Sequence, residues 1–122
     1  MRTMSMFSFT GGYVPVRDLD AAAKWYAQAF GCKFANSTDD DAQRTIVLQL
    51  DDDDLGFMLG PAATYPPNDL PPIIFTDRAT KANEHLTRKG VLAGPIQQDE
   101  QGTKFFEIRD CDGNVIEVSE EP

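Results

Sequence analysis

Three ionisable side chains near the C-terminus sit among apolar ones with the alternation of β-strands. Glu117 lies within Val115-Ile116-Glu117-Val118-Ser119, and Glu107 and Arg109 alternate with Phe106 and Ile108. Every second residue of a strand faces the same way, so Phe105, Glu107 and Arg109 share one face, as do Val115, Glu117 and Ser119. A carboxylate half-enclosed by hydrocarbon titrates high; it can remove a proton from a substrate or grip a cationic group. Glu117 is one such carboxylate, and a candidate catalytic residue if it points into a pocket. The same three charges can instead satisfy one another as an ion network, because buried charges need partners.

Other chemistry-bearing types are poorly placed. His85 is the only histidine and has no Cys or Asp companion in its helical stretch, so neither a nucleophilic triad nor a histidine-rich metal site is supported. No Gly-x-Ser-x-Gly elbow occurs. The run Asp51-Asp52-Asp53-Asp54 and the stretch Asp110-Cys111-Asp112-Gly113-Asn114 hint at calcium, but Leu55 fills the fifth position of the first and Gly113 comes too early in the second. Both read as hairpin turns. Gly11-Gly12 precedes a strand, not a helix N-terminus, which excludes a phosphate-cradling loop. Cys32 and Cys111 read as free thiols. Asn36-Ser37-Thr38 matches a glycosylation acceptor by chance, and Trp25-Tyr26 reads as packing, since adjacent helix residues point to different faces.

The elements that must position Glu117 come in two sets. Shifting the chain by 59 residues lays Asp18 on Asp77, Ala23 on Ala82, Gly31 on Gly90, Asp51 on Asp110 and Asp53 on Asp112 without a gap. Apolar positions follow, with Val14 on Ile73, Val16 on Phe75, Ile46 on Phe105 and Leu59 on Val118. Each half opens with a strand, Phe9 to Val16 and Pro72 to Thr76, ending at an Asp suited to cap a helix. From Leu19, the residues Ala22, Ala23, Tyr26 and Phe30 mark one helical face, closed by Gly31. A second helix spans about Ala79 to Lys89 and stops at Gly90. Short strands follow at Cys32 to Ala35 and Val91 to Ala93. A hairpin then closes each half: Thr45–Leu50 with Leu55–Leu59, and Thr103–Arg109 with Val115–Ser119. Gly60 to Pro72 holds five prolines and reads as a linker. The fold class is α+β, two tandem βαβββ modules, with module one at about 7–60, the linker at 61–71 and module two at about 72–120.

Composition narrows the partners. The 122 residues make one domain, and the formal charge of −9 repels nucleic acid and anionic lipid. No apolar run approaches the roughly 20 residues that span a bilayer, and Met1 to Gly12 lacks a signal-peptide stretch. The expectation is a cytoplasmic protein with a small-molecule ligand, no nucleic acid and no membrane.

Val16-Arg17-Asp18-Leu19-Asp20-Ala21-Ala22, Trp25-Tyr26 and Phe30-Gly31, together with Asp110-Cys111-Asp112-Gly113-Asn114 leading into Ile116-Glu117-Val118, resemble the vicinal-oxygen-chelate superfamily of glyoxalase, bleomycin-resistance protein and ring-cleaving dioxygenase. That family's turn is Asp-Pro-Asp-Gly-Asn; here Cys111 replaces the proline. The resemblance implies that the two modules form a cupped mixed sheet, and it implies a homodimer and a divalent metal held at the bottom of the cup by the first and last strands of each module. The implied ligand positions are Glu117, its repeat partner Met58, Gly11 and Leu70. Only one of these is a carboxylate and none is a histidine, so no metal cofactor is expected.

Strand alternation then assigns Tyr13, Met58, Phe105, Glu107, Arg109 and Glu117 to the cup as ligand-binding residues, with Gly11, Pro15, Val115 and Ser119 beside them. Two readings of function follow. One is a metal-free protein of the bleomycin-resistance kind, sequestering a small organic ligand, including a cationic drug. The other is a lyase, isomerase or dioxygenase that uses Glu117 as a base or as one ligand of a metal.

Overall fold

The computed structural model describes residues 7–9, 13–38, 45–49, 57–61 and 71–120. The first module contributes β2 (Tyr13–Val16), α1 (Leu19–Phe30), β3 (Lys33–Thr38), β4 (Thr45–Gln49) and β5 (Phe57–Pro61), preceded by β1 (Phe7–Phe9). The second contributes β6 (Ile73–Thr76), α2 (Ala79–Arg88), β7 (Leu92–Ala93), β8 (Gln97–Gln98), β9 (Lys104–Arg109) and β10 (Val115–Glu120). The expected βαβββ order is present twice. The short β8 is an addition to the expected order, and β5 takes in Gly60 and Pro61, at the start of the proline-rich stretch expected as linker.

Each module builds the same sheet. One has the order β2-β5-β4-β3; the other runs β6-β10-β9-β7, with β8 also on β9. The outer pair is parallel in both, β2 with β5 and β6 with β10, and the hairpins are antiparallel. The first strand, expected to be continuous from Phe9 to Val16, is instead two short pieces serving different sheets. β1 pairs antiparallel with β6 of the second module, while β2 pairs with β5 of the first. The N-terminal segment thereby contributes one strand to each sheet.

Both helices pack on one face. The core consists of Val14, Val16, Ile46, Leu48 and Leu59 under α1, and Ile74, Phe106, Ile108, Ile116 and Val118 under α2. The helices meet above β1, where the Phe7 ring lies edge-on to Phe30 at 4.9 Å and 5.9 Å from His85. His85 Nε2 donates to the Ala29 carbonyl at 3.2 Å, in the last turn of α1. His85 is thus part of the helix seam, in keeping with a packing role. The rings of Trp25 and Tyr26 do touch, edge to face at 4.8 Å, although they are adjacent along α1.

Capping separates the helices. Asp18 accepts from the Ala21 amide at 3.1 Å, and Gly31 closes α1 with φ of 72°, a left-handed conformation that glycine adopts without strain. Asp77 plays no such part in α2. The N-cap there is Arg78, one residue later, and the Ala79 amide is met by Glu120 Oε2 at 2.8 Å from the end of β10.

That one-residue offset runs through most of the second module and corrects the uniform spacing. Buried partners lie 60 apart, not 59: Val14 and Ile74, Val16 and Thr76, Leu19 and Ala79, Tyr26 and Leu86, Ile46 and Phe106, Leu48 and Ile108. The interval returns to 59 at the helix-ending glycines Gly31 and Gly90, and again in the last strands, where Leu59 and Val118 correspond. The sheet registers agree, since Val14 pairs with Leu59 as Ile74 pairs with Val118. Loops absorb such single-residue changes; strands cannot, because a slip of one exchanges their two faces.

The Asp110–Asn114 stretch is a hairpin turn, as expected, and it also fastens the modules together. Asp110 Oδ1 accepts from the amides of Asp112 and Asn114 at 2.9 and 2.8 Å, and Oδ2 accepts from the Tyr26 hydroxyl at 2.7 Å. Asn114 Nδ2 donates to the Pro15 carbonyl at 2.9 Å, and the Arg17 amide donates to Asp112 Oδ2 at 2.6 Å. The turn expected at Asp51–Asp54 and the proline-rich stretch 62–70 lie outside the described residues. Among the described residues, no helix is long and apolar enough to cross a membrane.

Candidate functional site

The face of the sheets turned away from the helices is only partly exposed, and Ser119 on it is buried. Its residues alternate with the core ones: Tyr13 and Pro15 on β2, Met58 on β5, Val47 on β4, Ile73 and Phe75 on β6, Val115 and Glu117 on β10, all half-buried. Phe105 is half-buried on β9, whereas Glu107 and Arg109 are exposed. All six expected site residues, Tyr13, Met58, Phe105, Glu107, Arg109 and Glu117, therefore lie on this open face.

Glu117 stands at its centre in module two. Ile73 is its neighbour across β6 and Glu107 its neighbour across β9. Partial burial raises its pKa above the ordinary carboxylate range, and the facing Glu107 and then Asp99 push it further in the same direction. Asp99 itself is held in the turn before β9, where Oδ1 accepts from the Gln101 and Thr103 amides, each at 2.9 Å. The arrangement suits Glu117 either to keep a proton or to exchange it for a cationic group. Met58 occupies the equivalent place in module one, between Tyr13 on β2 and Val47 on β4.

The alternative of an ion network among Glu107, Arg109 and Glu117 is not what forms. Arg109 Nη1 donates to the Gly113 carbonyl at 3.1 Å, toward the hairpin turn, and no ion pair links it to either carboxylate. Glu107 and Arg109 instead line a cavity of about 300 Å3 together with Leu92, Ala93, Gly94 and Val115. Glu117 adjoins this cavity through Glu107 without lining it.

Neither thiol is activated. Burial pushes Cys32 up to about 11, and Cys111 is raised by burial and then by Asp110 and Asp112. The Tyr26 phenol, buried against Asp110, is likewise held in its protonated form.

Sequence reasoning missed Ile73, Phe75 and Val47 on the open face. With a spacing of 59, Phe75 falls under the helices beside Val16, and Val47 falls on Phe106. The observed 60 places Ile73 and Phe75 opposite the buried Ile74 and Thr76. The structure gives Tyr13–Val16 and Ile73–Thr76 the same alternation of half-buried and buried residues, which the sequences Tyr-Val-Pro-Val and Ile-Ile-Phe-Thr do not show by themselves.

Comparison with known proteins places this architecture. The family model described as Glyoxalase/Bleomycin resistance protein/Dioxygenase superfamily matches residues 7–118. The chain belongs to that superfamily. A superfamily member from Sphaerobacter thermophilus superposes with a TM-score of 0.77 at 20% identity, covering 93% of this chain and 98% of its own. TnmS3, an antibiotic binding protein from Streptomyces sp. CB03234, gives 0.76 at 21% identity, covering 94% and 97%. Lactoylglutathione lyase from Agrobacterium tumefaciens gives 0.70 at 17% identity, covering 91% and 92%. At these identities the likeness is one of fold. No curated protein sequence matches the chain significantly.

The superfamily's divalent metal can be tested against the donors present. The terminal-strand positions carry Glu117 and Met58, and the register sets Ile73 and Tyr13 beside them. One carboxylate, a thioether, a phenol and an aliphatic chain do not make a set for zinc or for an oxygen-seeking cation. Gly11 and Leu70, the other two expected positions, lie outside the described residues, and neither has a ligating side chain. Among the described residues, no three His, Cys, Asp or Glu side chains converge.

Proposed function

We propose that this protein binds and sequesters a small organic ligand on the open face of its sheets, without a metal, and that Glu117 holds a cationic group of that ligand. The observation that carries this reading is a carboxylate of raised pKa paired with Ile73 across β6, on the same sheet face as Phe75, where the rest of the donor set is missing. Apolar and aromatic surface with few polar anchors suits a drug-like molecule, and the charge of −9 favours a cationic one. The antibiotic-binding relative gives the same reading support at the level of fold. In this proposal the protein works as a homodimer in the cytoplasm.

The test uses (2-naphthylmethyl)ammonium as a probe, read by the rise in melting temperature that a native-state ligand produces. A clear rise for the wild type, much reduced in Glu117→Gln, supports the reading. In parallel, the purified chain is titrated with zinc, nickel, manganese and iron; tight stoichiometric uptake of any of them would overturn the metal-free assignment.

A second reading has one observation of its own. The same raised pKa fits Glu117 as a general base in an isomerisation or in proton abstraction beside a carbonyl. Turnover abolished by Glu117→Gln while probe binding persists would favour the enzyme.

A further inference from the structure

We infer that the outer part of the open face, between Glu107 and Arg109, is a subsite for a dipolar ligand, one carrying an anionic and a cationic group about a dipeptide's length apart on an apolar body. The inference rests on the reading of that face as a ligand site and assigns a chemical class to its outer end.

Glu107 and Arg109 are alternate residues of β9, so they face the same way with their Cα atoms roughly 7 Å apart. Opposite charges so placed have the reach to pair, yet these do not. The guanidinium is held at the Gly113 carbonyl, 3.1 Å away, at the turn end of the strand, which leaves the carboxylate separate. The cavity of about 300 Å3 lies between them, large enough for a small organic molecule and no larger. Its flank is hydrocarbon. Leu92, paired with Arg109 across β7, is 73% exposed, and Val115, paired with Arg109 across β10, is half-buried.

Charge decides the class. A ligand with only a cation would meet Glu107 but lie within a screening length of Arg109, and a ligand with only an anion would meet the reverse conflict. A dipolar molecule satisfies both groups and lays its apolar side on Leu92 and Val115. Arg109 supplies directed donors for a carboxylate, and Glu107 accepts from an ammonium.

The test follows amide NMR signals of β7, β9 and β10 in the full chain during titration with three probes: L-leucylglycine, its N-acetyl form and its C-terminal amide. The dipolar peptide should shift the Leu92, Arg109 and Val115 signals, and each blocked form should bind about tenfold more weakly or worse, the size of one charge-assisted contact. Arg109→Gln should erase the preference for the acid over the amide, Glu107→Gln the preference for the free amine over the acetylated one, and Arg109→Lys should keep the first preference in part. Equal binding of all three probes to the wild type, or no shift from any of them, overturns the inference. If no dipeptide binds while (2-naphthylmethyl)ammonium does, only the subsite fails; if that probe fails as well, the broader reading falls with it.

Discussion

The Tyr26 hydroxyl donates to Asp110 Oδ2 at 2.7 Å, a buried hydrogen bond between residues 84 apart in sequence and in different modules. Its acceptor is the first residue of the turn that also bonds Pro15 through Asn114 and Arg17 through Asp112. The turn therefore binds the last hairpin to the first strand and helix. Tyr26→Phe should cost about 1.5–3 kcal/mol, the range for a hydrogen bond to a charged group. Asp110→Ala, which strands the two amides and the phenol together, should cost about 3 kcal/mol or more. Urea unfolding of the two variants checks the order; equal losses would mean that the phenol is the whole of the contact.

Thr76 is buried on β6 with a hydroxyl that has no hydrogen-bond partner among the described residues. Its methyl and backbone already fit the core, so Thr76→Val should be neutral or stabilising by about 1 kcal/mol, in contrast to most core changes. A loss of stability on this substitution would reveal a partner for the hydroxyl.

The two helices should respond to different cap substitutions. Asp18→Ala should weaken α1 by about 1 kcal/mol. For α2 the residue that matters is Glu120, 41 positions away at Ala79, so Glu120→Ala should cost about as much while Asp77→Ala costs little. Thermal unfolding of the three variants settles the comparison, and an Asp77 effect as large as that of Asp18 would contradict the cap assignment.

Glu117 gives a pH dependence with a definite sign. Its pKa is raised in the folded chain, so between the unfolded and folded titrations the native state holds more protons. Stability contributed by this group is present at low pH and falls as pH rises through that window. Glu117→Gln should flatten that fall and gain stability relative to the wild type at neutral pH. Binding of a cationic probe should strengthen over the same interval as the carboxylate ionises. Unfolding curves at a series of pH values test both, and parallel profiles for variant and wild type would exclude Glu117 as the cause.

Local chemistry was sufficient for much of this. The repeated βαβββ order, the Asp18 cap, the Gly31 stop, the hairpin turn at Asp110–Asn114 and the alternation of Phe105, Glu107 and Arg109 with the buried Phe106 and Ile108 all follow from residue type and period, because a strand's faces and a helix's ends are set by neighbours in sequence. What needed the tertiary structure was anything depending on how one strand lies against another. The spacing of 60 that turns Ile73 and Phe75 toward the open face is a register, fixed by pairing with β10. The splitting of the first strand between two sheets, the Tyr26–Asp110 bond, the Glu120 cap and the separation of Arg109 from Glu107 and Glu117 are likewise contacts between distant segments. A linear pattern states which residues can face a common side; only packing decides which of them meet.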